Sequence, residues 1–112
     1  MTNIVITGAS GRMGRALIEA TLETKGASLS GATVRPTSTL VSVDAGELVG
    51  QGHHSAPIQS SLNAFSSVRP VVIDFTTIES ALEHLQWCVT QTLPCVIGTT
   101  GFSDAQENVI TQ

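Results

Sequence analysis

The chain has 112 residues, the size of one small domain. With 41% hydrophobic and 12% charged residues it falls outside the disordered class, which pairs low hydropathy with high charge. Its net charge of -4, with only five scattered Lys and Arg residues, excludes a nucleic-acid partner held through the phosphate backbone.

The amino terminus runs straight into an apolar strand pattern, with no charged stretch ahead of a cleavable apolar segment. No apolar run approaches the roughly 18 residues of a membrane helix. The chain is therefore expected to be soluble and cytoplasmic, with no membrane partner. Residues 3–7, Asn-Ile-Val-Ile-Thr, read as a buried parallel strand. A turn over residues 8–11 leads into a helix over residues 12–25. Met13, Ala16, Leu17 and Ala20 form its expected buried stripe, and Gly26 its carboxyl cap. Residues 27–34 read as a second strand. Residues 35–57 are rich in Gly, Ser, Thr and Pro and read as a loop, with one helical turn at residues 44–48. A short helix is expected at residues 60–65 and a core strand at residues 70–75. Thr76 and Glu79 have capping-box spacing, and Ala81, Leu82, Leu85, Cys88 and Val89 give the helix behind them an apolar face. Residues 94–97 read as a fourth strand, residues 98–101 as a turn, and residues 103–106 as the cap of a further helix. Strands alternating with helices imply a Rossmann-type parallel α/β sheet with flanking helices. Four strands are fewer than the usual six of a doubly wound sheet. The fold is thus expected to be truncated, with residues 1–112 forming one dinucleotide-binding domain of a longer protein.

Gly8, Gly11 and Gly14 are spaced G-x-x-G-x-x-G between a strand and a helix, the context that a dinucleotide fingerprint requires. Gly8 would turn the chain, Gly11 would admit a pyrophosphate close to the backbone, and Gly14 would let the helix pack on the sheet. The helix amino terminus offers N–H groups and a partial positive charge to the anion, and Arg12 adds a full one. No Gly-Lys-Ser/Thr follows, so a P-loop is excluded. At the end of the second strand Val34 occupies the place of the acidic residue that holds the ribose of NAD, and Arg35 could pair with a 2′-phosphate. NADPH is the expected preferred cofactor, with NADH possible.

Gly-Ala-Ser-Gly-Arg-Met-Gly at residues 8–14, Ile-Asp-Phe-Thr at 73–76 and Val-Ile-Gly-Thr-Thr-Gly-Phe at 96–102 together resemble the N-terminal cofactor domain of the dihydrodipicolinate reductases. These are the 4-hydroxy-tetrahydrodipicolinate reductases of bacterial and plant lysine and diaminopimelate synthesis. Residues 44–48 and 59–62 are also similar to family segments, so the resemblance spans nearly the whole chain. It implies that Gly8, Ala9, Ser10, Gly11, Arg12 and Met13 contact the pyrophosphate and adjacent ribose. Arg35 would meet the adenosine end, and Phe75, Thr76, Gly98, Thr99 and Thr100 the nicotinamide side. It further implies a full-length homo-oligomer, a tetramer. The family's His-His, Lys and Ser-Gly-Thr catalytic signature is absent from these residues, so the chain is expected to hold cofactor without turnover and to contain no catalytic residue. Two other functions fit the glycine loop: a stand-alone NADP(H)-sensing regulatory module, and the cofactor domain of an extended short-chain dehydrogenase. The latter's catalytic tyrosine cannot lie here, because the chain has no tyrosine.

His53 and His54 read as loop histidines without a metal, and His84 as a partly exposed helix residue. Asp74 is expected to hold its turn by hydrogen bonds, and Trp87 to pack at a surface or lid. Cys88 and Cys95 read as small core side chains, since their spacing is not C-x-x-C.

Overall fold

A computed structural model describes residues 2–9, 11–74 and 78–97. The strands are β1 (Thr2–Thr7), β2 (Ala27–Thr33), β3 (Ile58–Gln59), β4 (Val71–Asp74) and β5 (Cys95–Ile97). They form one parallel sheet in the order β3-β2-β1-β4-β5. Helix α1 (Arg12–Glu23) joins β1 to β2, α2 (Ala45–Leu48) lies in the long loop before β3, and α3 (Ile78–Gln91) joins β4 to β5. A 3-10 helix, Leu62–Val68, precedes β4. The strand order runs outward from β1 in both directions, the doubly wound arrangement whose ligands sit beyond the carboxyl ends of the strands.

Pleat alternation sorts the core into two layers. On one face Ile6, Leu29, Ala32 and Ile58 pack with Ile18 of α1 and Ala45 of α2. On the other, Val5 and Val72 pack with Leu62 and Phe65 of the 3-10 helix and Cys88 of α3. Gly31 makes the second layer possible. A Cβ there would lie 2.3 Å from the Phe65 ring and 2.6 Å from the Pro57 carbonyl oxygen, so glycine is what admits the ring against β2.

The buried stripe of α1 is rotated one residue from the expected one. Gly14, Ile18 and Thr21 face inward, Leu17 is half-buried, and Met13, Ala16 and Ala20 are exposed. The phase is set where Gly14 meets the turn after β1, which carries Ile18 and Thr21 onto the sheet. The helix also ends earlier than expected. Thr21 and Thr24 turn their hydroxyls back to the Leu17 and Ala20 carbonyls, and Thr24 rather than Gly26 is the cap. Gly26, at φ +85°, turns the chain into β2 instead, and its carbonyl accepts the Thr2 N–H at 2.8 Å. On α3, Ala81, Leu85 and Cys88 are buried, but Val89 is 59% exposed because it lies about 100° round the helix from Cys88.

The expected turn at residues 44–48 is α2. Asp44 caps it and also fastens the loop behind it. Its carboxylate accepts the N–H groups of Glu47 at 3.1 Å, His54 at 3.0 Å and Ala56 at 2.7 Å. Burial pushes this carboxyl up, but the three backbone donors and the nearby His53 outweigh it and hold Asp44 below its ordinary value. The short helix expected at residues 60–65 is the 3-10 helix, shifted toward the carboxyl end and capped by Ser61, whose hydroxyl accepts the Asn63 N–H. The strands expected at residues 70–75 and 94–97 are β4 and β5. The two-residue β3 is an addition to the four strands read from sequence. The capping residue Thr76, the turn at residues 98–101 and the helix expected after it lie outside the described residues.

Candidate functional site

The carboxyl ends of the strands finish in one row. Gln59 pairs with Thr33, Thr33 with Thr7, Thr7 with Asp74, and Asp74 with Ile97. The glycine loop leaves this row at its centre. Gly8 has φ +75°, a left-handed conformation that glycine adopts without strain, and so turns the chain off β1. Its N–H and that of Ala9 both donate to the Thr33 carbonyl at 3.0 Å, tying the loop to the end of β2. The Gly11 N–H donates back to the Gly8 carbonyl at 3.1 Å. These three amides shape the loop and are spent within it. Ala9 is also fully buried.

The amides left to meet an anion are the first-turn amides of α1, at Arg12, Met13 and Gly14, which have no acceptor among the described residues. Gly11 is the N-cap and has no side chain to cap them. The first turn also holds no acidic residue, whereas those of α2 and α3 contain Glu47 and Glu79. An uncompensated helix dipole with Arg12 beside it favours an incoming anion. Among the described residues a Cβ on Gly11 would meet only the Gly8 carbonyl, at 3.6 Å, and Arg12 and Met13 are exposed.

Gly14 has a different role from the one expected. It abuts the loop rather than the sheet. A Cβ there would lie 2.0 Å from the Gly8 oxygen, 2.8 Å from the Gly8 carbonyl carbon and 3.0 Å from the Ala9 Cα. Its missing side chain is what lets α1 start directly beneath the turn.

Thr7 adds a feature that composition could not reveal. Its hydroxyl is fully buried at the strand-end row and has no hydrogen-bond partner. Leaving such a group unpaired costs about 1–3 kcal/mol. A ligand or ordered water that supplied a partner there would be stabilising, so the row is suited to a further polar group. Beside it in register, Asp74 is buried and accepts a hydrogen bond from His84 Nδ1 of α3. Asp74 therefore ties β4 to α3; the turn it was expected to hold lies outside the described residues. His84 is half-buried as a result.

Arg35 is exposed just past β2, behind the buried Val34, whose N–H donates to the Gln59 carbonyl at 3.0 Å. The glycine loop and Arg35 thus leave neighbouring strand ends. Ser10, Phe75, Thr76, Gly98, Thr99 and Thr100 lie outside the described residues. Trp87 donates through Nε1 to Asn63 at 2.6 Å and joins α3 to the 3-10 helix. His53 lies away from the strand-end row, with Nδ1 3.9 Å from both Asp44 and Glu47. One donor atom from each of these three residues falls within 4.8 Å of the others, a cluster that sequence reading missed because its members are up to nine positions apart. Both Asp44 oxygens are already engaged by backbone N–H groups. No helix among the described residues is long and apolar enough to cross a membrane.

Known proteins resemble the chain in sequence and in fold. Residues 2–112 match the family model described as dihydrodipicolinate reductase, N-terminus. A 4-hydroxy-tetrahydrodipicolinate reductase from Hahella chejuensis is 45% identical over 112 residues, covering 100% of this chain and 42% of that protein. A dipicolinate-bound dihydrodipicolinate reductase from Paenisporosarcina sp. TG-14 shares the fold, with a TM-score of 0.75 at 24% identity over 96% of this chain and 41% of that one. The chain thus spans less than half the length of these relatives. Neither a stand-alone sensor nor an extended short-chain dehydrogenase is favoured by the match. The glycine loop, the strand-end row and the family match lead to one conclusion: the chain belongs to the dihydrodipicolinate reductase family and is similar to its N-terminal, nucleotide-binding domain.

Proposed function

We propose that this chain is the NADPH-binding part of a 4-hydroxy-tetrahydrodipicolinate reductase acting in lysine and diaminopimelate synthesis. The observation that carries the reading is the uncapped first turn of α1, held open beneath the Gly8 turn by Gly14. The first-turn amides and Arg12 would take the pyrophosphate, with Gly8, Ala9, Ser10 and Gly11 shaping the cradle and Met13 beside it. Arg35 would take the 2′-phosphate, a charge-assisted contact that NADH cannot make. Phe75, Thr76, Gly98, Thr99 and Thr100 would flank the nicotinamide. The bound dinucleotide supplies a hydride. The part of the relatives that this chain does not span would bind the substrate's carboxylates and supply a proton. On this reading the whole enzyme is a cytoplasmic homotetramer.

Equilibrium titration with both dinucleotides, followed by a turnover assay, tests the proposal. Saturable NADPH binding, tighter than NADH binding, without turnover by these 112 residues is expected. Equal or tighter NADH binding overturns the role of Arg35, and measurable turnover overturns the assignment of catalysis to the rest of the protein.

A further inference from the structure

Cys88 and Cys95 show no motif in sequence, but the fold brings them together. At the end of α3 the Leu93 N–H donates to the Cys88 carbonyl at 2.8 Å and the chain reverses. The Pro94 carbonyl then accepts the Val72 N–H at 3.1 Å, which sets β5 against β4 with Cys95 opposite Val72. Cys88 is fully buried in the layer under α3, and Cys95 packs against that layer while remaining partly exposed. The two side chains share one core layer, each within the other's electrostatic reach. Cys95 draws the Cys88 thiol below its ordinary value, against burial and the Asp74 carboxylate. Cys88, burial and Asp74 push Cys95 up. Asp74 is itself held by His84, one helical turn before Cys88 on α3.

We propose that Cys88 and Cys95 form a reversible disulfide under peroxide, which staples α3 to β5 and alters dinucleotide affinity. Peroxide meets Cys95, the accessible member. The Cys95 proton passes to the Cys88 thiolate as the Cys95 sulfur takes one peroxide oxygen to become a sulfenic acid, and the departing hydroxide takes that proton as water, leaving Cys88 a thiolate again. The Cys88 thiolate then attacks that sulfur, forming the S–S bond and releasing a second hydroxide. With the two thiol protons, the balance is two thiols and one peroxide giving one disulfide and two waters. Each sulfur is oxidised by one electron and the peroxide is reduced. A dithiol reverses the step by exchange. The effect on affinity rests on the proposed cofactor site. Cys95 lies two residues before Ile97, which is part of the same strand-end row as Thr7 and Thr33.

The test treats the reduced chain with hydrogen peroxide. It reads intact mass, the linked peptides, and NADPH affinity before oxidation, after it and after dithiothreitol. A mass loss of two hydrogens, a Cys88–Cys95 peptide and a change in NADPH dissociation constant of about fivefold, restored by dithiothreitol, are expected. In C88S, Cys95 should stop at a sulfenic acid trapped by dimedone. Unlinked cysteines, or Cys95 passing to sulfinic acid in the wild type, overturn the disulfide. A linked peptide with unchanged NADPH affinity overturns the coupling. A reduced chain that fails to bind NADPH counts against the cofactor site instead, and the linked peptide still decides the disulfide.

Discussion

Replacing Gly14 with alanine tests how the cradle is built. The added Cβ would sit 2.0 Å from the Gly8 oxygen and 2.8 Å from its carbonyl carbon. Optimal contacts between carbon atoms lie near 3.5–4.0 Å, so the overlap exceeds about 1 Å. The obstructing atoms are backbone, pinned by the bonds from Gly8 and Ala9 to Thr33, and cannot swing aside. Overpacking of this kind costs about 1–3 kcal/mol. Alanine's better helix propensity returns up to about 1 kcal/mol. A net loss of about 1 kcal/mol is expected, which lowers the melting temperature of a domain this size by about 5 °C. NADPH affinity should also fall about 30-fold, because relief requires α1 to move away from the turn that frames its amides. Thermal melts and NADPH fluorescence titrations read the two effects. G11A is the control. Its Cβ meets only the Gly8 oxygen at 3.6 Å, and φ −83° suits any residue, so the fold should survive while the added methyl obstructs the anion. G14A with wild-type stability and affinity would refute the reasoning.

Further predictions concern sites around the cradle. Arg35→Ala should weaken NADPH binding about tenfold and leave NADH binding unchanged, the loss of one charge-assisted contact of about 1.5 kcal/mol or more; an equal loss for both cofactors would place Arg35 elsewhere. Asp44→Ala should cost about 3 kcal/mol in urea denaturation, because three backbone N–H groups lose their acceptor. The Asp44 carboxyl is held below its ordinary value of 3.8, so its contribution is complete above that pH and is lost as pH falls through the lower folded value. A wild-type stability profile that D44N leaves unaltered at acid pH would contradict this. Gly31→Ala should destabilise by about 2 kcal/mol through the clash with Phe65, and Phe65→Leu in the same chain should recover part of that loss. Simple additivity would show that the ring is not the obstacle.

The strand–turn–helix order and the glycine spacing were legible because each rests on neighbouring residues. The strand positions of Val5, Ile6 and Val72 follow from apolar β-branched runs, and Asp44 signals a helix start by local capping chemistry. Other features depend on residues far apart in sequence. The phase of α1 is set by Gly14 against Gly8, a contact that outranks the apolar count of Met13, Ala16 and Ala20. β3 is too short for any periodicity, and it exists because Ala32 and Thr33 offer an open edge. Gly8 and Ala9 read naturally as anion donors until the Thr33 carbonyl is seen to use their N–H groups. The Thr7 orphan, the Asp74–His84 bond and the Cys88–Cys95 contact belong to the same class, since only the folded sheet places those atoms together.

The central claim is that the first turn of α1 receives a pyrophosphate. A backbone amide NMR titration of the chain with NADPH tests it most directly. The account predicts that the largest shifts fall at Arg12, Met13 and Gly14, with Arg35 responding to NADPH and not to NADH. Shifts centred on the Asp44, Glu47 and His53 cluster, with those amides unmoved, would contradict it.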